Sequence, residues 1–246
     1  VVRWALTFGG LLLASWAIPG NAGDFGLDWA TAREILTGGD PYHEFTGWVH
    51  PRIPAAHLLQ LPLGLIPPIG GGWSPLAAAV LVAGSGTLLV WLVARRWWWA
   101  APPLLLLWPF ATVDVNGHPT FWYTSLLVLG FRQVESRPWL AGLLLAVASS
   151  YRLFPLLLVA GLFLARRRTV AGWASGWFAA LNLAGLMLPG VSIDGTLRGW
   201  SDVRGVWFDH LWNLSVTRWA PVWVVAVPAV LYLIWAWGRE WRRAWN

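Results

Sequence analysis

The chain has no cysteine, no lysine, a single methionine and few charges of any kind: only 11% of its 246 residues are charged, against roughly 25% in an average soluble domain. Without cysteine there is no disulfide, no thiolate nucleophile and no Cys-ligated metal, and the redox compartment stays open. Without lysine, all 17 basic residues are arginine. So little charge excludes a surface solvated mainly by water.

What fills the chain instead is apolar: 57% of residues are hydrophobic and 23 are tryptophan. Several apolar runs approach the roughly 20 residues a helix needs to cross a bilayer, where unpaired strand edges would have no hydrogen-bonding solvent. The expected fold is therefore all-α, a polytopic transmembrane helix bundle forming a single domain over 1–246. The tryptophans suit a protein with two water–lipid interfaces to line, since indole combines an apolar body with one N–H donor. The net charge of +6 does not argue for nucleic acid, because the arginines stand in short runs at the ends of apolar segments.

Eight spans are expected: Trp4–Pro19, Pro75–Ala94, Ala100–Val113, Thr120–Phe131, Trp139–Ser150, Phe154–Ala165, Val170–Leu188 and Ala220–Trp237. The first follows Arg3 as a signal peptide would, but no small-x-small cleavage pattern follows it at a convincing place, so it is read as a retained span. Between Pro54 and Pro68 four prolines interrupt an apolar stretch, which reads as a short or re-entrant helix. With both termini inside, 11 arginines and two acids fall on the cytoplasmic side, +9, while six arginines and nine acids fall outside, −3. That asymmetry follows the positive-inside rule. All five histidines also fall outside. Two outer loops, 20–53 and 189–219, are long enough to carry function. The first holds an amphipathic segment, Leu27–Leu36, expected to lie along the interface, and then a Gly38-Gly39-Asp40-Pro41 turn.

The polar residues of this outer side are the candidates for chemistry. Asp24 and Asp28 stand four apart, so one helical turn aligns both carboxylates. Asp24 is read either as an N-cap or as a general base whose pKa desolvation at the lipid boundary would raise. Arg152 sits with Ser149, Ser150 and Tyr151 inside an otherwise apolar stretch. It is either a snorkelling residue in a short outer turn or a guanidinium placed to hold a lipid-linked phosphate. Asp114-Val115-Asn116-Gly117-His118-Pro119 forms a polar turn, and His210, Asn213, Ser215 and Arg218 close the second outer loop. No histidine pair has metal-ligand spacing, so neither a metal nor a cofactor is expected.

In chain order, Gly23-Asp24-Phe25, Ala32-Arg33-Glu34-Ile35-Leu36-Thr37-Gly38-Gly39-Asp40-Pro41-Tyr42 and His50-Pro51-Arg52 leading into Leu59-Gln60-Leu61-Pro62-Leu63 resemble the first external loop of glycosyltransferase family 87. The turn Asn116-Gly117-His118 resembles that family's Asn-Gly-Gln. The stretch from Ala141-Gly142 to Ser150-Tyr151-Arg152-Leu153-Phe154-Pro155 resembles its Ala-Gly…Lys-x-x-Pro, and Asn213-Leu214-Ser215 with Arg218 resembles its Asn-x-Ser element. Three departures stand out: Arg152 replaces lysine, His118 replaces glutamine, and His50-Pro51-Arg52 replaces Tyr-Pro-Pro. The chain is also shorter than usual members, and its Val1 start reads as a fragment or an unusual start.

The resemblance implies a GT-C-like membrane enzyme of the bacterial plasma membrane. Such an enzyme would move mannose, with inversion, from a polyprenyl-phosphate carrier to an acceptor hydroxyl on the outer face. Asp24 would be the general base, and Arg152, Arg218, His118 and His210 would bind the donor phosphate. Asp28, Tyr42, His50, Asn116, Tyr151, Asn213 and Ser215 would line the substrate site. The expected partners are the lipid-linked sugar donor, a glycan or glycolipid acceptor and the bilayer, with no nucleic acid. A transporter or lipid flippase is the alternative, but paired repeats with broken helices at the midplane are not evident. A scaffold protein would leave Arg152 and the aspartate pair unexplained.

Overall fold

The computed structural model describes residues 2–17, 23–42, 52–68, 75–93, 120–153 and 155–199. Among these the regular structure is entirely helical: α1 (Val2–Ala17), α2 (Gly23–Thr37), α3 (Pro54–Gly64), α4 (Pro75–Val93), α5 (Thr120–Gln133), α6 (Pro138–Tyr151), α7 (Pro155–Leu164), α8 (Arg168–Gly185) and α9 (193–199). The expected spans Ala100–Val113 and Ala220–Trp237 lie outside the described residues.

Proline sets several of these boundaries. Pro54, Pro75, Pro138 and Pro155 each open a helix, where the missing N–H would have had no intrahelical partner and the fixed φ already suits the first turn. Ser85, Ser125, Ser149 and Ser150 return their hydroxyls to the carbonyl four residues back, at 2.7–2.9 Å, so these polar groups are satisfied inside apolar helices. Only α4 among the described helices is long and apolar enough to cross a membrane, through Leu76–Val93 at a mean hydropathy of 2.2.

Specific contacts fix how the helices run. Helices α4 and α5 are parallel: the Ser125 hydroxyl approaches the Ser85 carbonyl, Phe121 lies against Gly86, and Arg132 donates to the carbonyl of Leu92 at the end of α4. A tight turn then sends α6 back along α5, with Leu145 and Ala141 against Gly130. Helix α7 returns in the opposite sense to α6, bringing Arg167 to within 2.8 Å of Glu135 in the α5–α6 turn. Helix α8 next runs beside α6, so close at Gly142 that an added Cβ would stand 2.4 Å from the Trp173 Cβ. Tyr123, Leu127, Leu145, Leu162 and Val170 fill the core between these four helices.

One end of this bundle therefore carries Arg132, Glu135, Arg137 and Arg166–Arg168, and the other carries Tyr151, the end of α8 and α3. Helix α3 is only 11 residues long, about 16 Å, too short to cross a bilayer, and it agrees with the short helix expected there. It lies at the Tyr151 end, wedged between α2 and α8. A Cβ on Gly64 would stand 2.9 Å from the Ala32 carbonyl carbon, and one on Gly185 would stand 2.1 Å from the Pro54 carbonyl oxygen. Asn182 of α8 completes the junction by accepting from the Ala55 N–H at 3.3 Å. No side chain of the local sequence caps α3, so Asn182 supplies the acceptor its first turn lacks.

Helix α2 differs from the amphipathic surface segment expected over Leu27–Leu36. It starts at Gly23, and Phe25, Asp28, Trp29, Thr31, Ala32 and Ile35 are all buried. Phe25 joins Val82 and Phe121 in a second core, and the small side chain of Ala32 lets α3 approach closely. Helix α2 is thus a packed element of the bundle. Because the helix starts at Gly23, Asp24 stands within its first turn and is not the residue preceding it.

A buried polar cluster where α2, α3 and α6 meet

At the end of the bundle away from the arginine-rich turns, α2 presents Asp28 and the approach to α3 presents Arg52. The Arg52 Nε and Nη2 both donate to Asp28 Oδ1, at 3.3 and 3.1 Å. Asp28 is fully buried and Arg52 is 7% exposed, so this ion pair is sheltered from water, where its attraction is far stronger than at a surface.

Tyr151, the last residue of α6, lies within electrostatic reach of both partners, and its hydroxyl approaches the Leu59 carbonyl of α3 at 3.5 Å. Directly after it the helix stops. Arg152 has extended backbone, φ −144° and ψ 130°, with its N–H still donating to the Ala148 carbonyl. Pro155 explains the break, since a proline disfavours helical conformation just ahead of itself and cannot donate within a helix.

The turn after α2 closes the other side. Its Gly38 takes φ +78°, a left-handed conformation that glycine adopts without penalty, and the Gly38 and Gly39 N–H groups return to the Ile35 and Glu34 carbonyls. The chain is thereby aimed so that the Tyr42 ring meets His57 edge-on, with centroids 5.3 Å apart. The Tyr42 hydroxyl bonds the Ser192 carbonyl and the Thr196 hydroxyl, each at 2.9 Å. Thr196 in turn lies 3.4 Å from the Arg52 carbonyl oxygen. One connected polar network thus ties α2, α3 and α9 together.

Thr31 and Gln60 are also fully buried, and the Thr31 hydroxyl and both polar atoms of the Gln60 amide have no hydrogen-bond partner among the described residues. Gln60 stands one turn from both His57 and Gly64, on the stripe of α3 that faces the Tyr42 turn and α2. An unpaired buried polar atom costs about 1–3 kcal/mol. Such groups mark a place where a partner with both donors and acceptors would be welcome.

Of the residues expected to carry function, the fold gathers Asp28, Tyr42, Tyr151 and Arg152 at one end of the bundle. Asp24 lies one turn before Asp28 along α2, and its side chain is outside those described. His50, Asn116, His118, His210, Asn213, Ser215 and Arg218 also lie outside the described residues. Arg52, Thr31, His57, Gln60, Ser192 and Thr196 were not singled out as site residues by sequence. Arg52 did carry a signal: it is the lone charge between Glu44 and Arg95 and stands directly ahead of a proline-initiated apolar helix.

No family model matches this chain, and neither does any curated protein or solved structure.

Proposed function

We propose that the protein is a membrane glycosyltransferase that takes a sugar, mannose by family resemblance, from a polyprenyl-phosphate carrier and passes it to an acceptor hydroxyl. The observation that carries this reading is the meeting of the Asp28–Arg52 pair with the Tyr151–Arg152 helix end, away from the arginine-rich turns. Lengths support it as well. Helix α6 has 14 residues, about 21 Å, against about 30 Å of hydrocarbon. With Arg137 held at one boundary, Tyr151 and Arg152 would end short of the other, recessed in the outer half of the bilayer. A phosphate on a lipid chain could be met at that depth without leaving the membrane.

In this reading Asp24 is the general base. Helix α2, anchored by the buried Asp28–Arg52 pair, holds it in place. Arg152, with His118, His210 and Arg218, neutralises the departing phosphate, whose developing charge a guanidinium stabilises well. The amide of Gln60 and the hydroxyl of Thr31 offer the mixed donors and acceptors that sugar hydroxyls need. Asp28, Tyr42, His50, Asn116, Tyr151, Asn213 and Ser215 complete the substrate surroundings.

The test is to incubate the purified protein with polyprenyl-phosphate mannose labelled in the sugar, together with glycolipid acceptors. A new labelled glycoside supports the reading. Label that crosses a proteoliposome membrane unchanged supports the transporter or flippase alternative instead.

A further inference from the structure

At the opposite end of the bundle the α5–α6 and α7–α8 turns meet through the ion pair of Glu135 and Arg167. Arg137, Arg166 and Arg168 stand around this pair, exposed and with no ion pair of their own among the described residues. Four arginines against one glutamate leave this small surface at +3. Exposed apolar side chains flank it: Trp139, Phe163 and Leu164, with the Arg168 guanidinium 5.6 Å from the Phe163 ring centroid.

Helix electrostatics account for only part of this charge: Arg166 and Arg167 follow the C-terminal end of α7, where positive charge is favourable, but they and Arg137 also stand at the N-terminal ends of the next helices. Arg137 and Arg167 occupy the capping positions of α6 and α8, neither makes a side-chain cap, and neither helix has an acid in its first turn. Positive charge is unfavourable at that end of a helix.

Backbone preference does not account for them. Helix α7 ends with the Arg166 N–H bonded to the Phe163 carbonyl and the Arg167 N–H bonded to the Leu162 carbonyl, at 3.1 and 2.9 Å. This is the Schellman pattern, whose left-handed position is normally glycine. Here it is Arg166, at φ 62°. An L side chain in that conformation is strained, so arginine in place of glycine gives this turn no backbone advantage.

We propose that these two turns form a binding site for the headgroup of an anionic phospholipid, with Arg166 at its centre. The phosphate is held by Arg137, Arg166 and Arg168, and the acyl chains lie along Phe163, Leu164 and Trp139. Charge complementarity selects the occupant, and the adjoining apolar side chains select a lipid over a free anion. The inference rests on the membrane half of the proposed function and not on sugar transfer.

The experiment purifies the full chain and its Arg166→Gly variant in detergent, reconstitutes both with mixed phosphatidylglycerol and phosphatidylcholine, and counts retained lipids by native mass spectrometry. The wild type should retain phosphatidylglycerol preferentially. Arg166→Gly should lose about fivefold of that preference while its melting temperature stays unchanged or rises, because glycine suits the backbone better. Arg137→Gln with Arg168→Gln should weaken retention further, and Arg33→Gln at the far end should not.

Equal retention of both lipids by the wild type, or an undiminished preference in Arg166→Gly, would overturn the proposal. Full displacement of the lipid by millimolar inorganic phosphate would overturn it in favour of a free-phosphate site. A chain that fails to enter bilayers at all would remove the membrane reading itself, whereas sugar transfer without lipid preference would remove only this site.

Discussion

Arg52 directs both Nε and Nη2 to one oxygen of Asp28, across 24 residues of sequence and with both side chains shut away from water. The pair joins α2 to the start of α3 at the point where Tyr151 ends α6. Its burial makes it sensitive to the loss of one member and tolerant of the loss of both.

Arg52→Met should therefore lower stability by about 3–5 kcal/mol, since it strands a carboxylate in a low-dielectric interior. Adding Asp28→Leu to that variant should recover most of the loss. Denaturant melts of the purified protein in detergent measure both effects, and a double variant no more stable than Arg52→Met would contradict the buried pairing.

The junction of α3 with α8 makes a second, contrasting prediction. Asn182→Ala removes the acceptor for the Ala55 N–H and should cost about 1 kcal/mol, with faster amide exchange confined to the first turn of α3. Gly185→Ala should cost more, because its Cβ would fall 2.1 Å from the Pro54 carbonyl oxygen. Gly172→Ala on the same helix meets nothing within 4 Å and should be neutral or stabilising by up to about 1 kcal/mol. Melting temperatures ranked otherwise would mean that α3 is not seated against α8.

The absence of cysteine allows a direct test of sidedness. Asp194→Cys places a thiol at an exposed position of the Tyr151 end, and Ser136→Cys places one in the α5–α6 turn. A membrane-impermeant maleimide should label the first in intact cells and the second only after permeabilisation. Labelling of both from one side would contradict a bundle whose ends face opposite compartments.

Much of the helical framework could be read from the chain because apolar runs, arginines and prolines bound it locally. Trp139–Ser150 was expected and Pro138–Tyr151 is observed; Phe154–Ala165 was expected and Pro155–Leu164 is observed. The clustering of Asp28, Tyr42, Tyr151 and Arg152 also followed from the alternation of helix directions. Tertiary pairing was another matter. Asn182 caps a helix 127 residues away, and an asparagine inside an apolar helix carries no mark of that partner. Arg52 reads as one of the outer charges, and its burial comes from a partner 24 residues earlier in the chain, Asp28 of α2. Helix α2 reads as lying along a surface because Asp28, Arg33 and Glu34 suggest a wet face; Arg33 and Glu34 stay half-buried, and the ion pair with Arg52 takes only Asp28 out of water.

The account depends most on Asp24 as the base of a sugar-transfer reaction, and the most direct test is the rate of labelled mannose transfer by wild type and Asp24→Asn in the same bilayer, with donor binding measured in parallel. The account predicts a labelled product from the wild type, a rate about 10²- to 10⁴-fold lower in Asp24→Asn, and donor binding unchanged. Transfer by Asp24→Asn at the wild-type rate would contradict it.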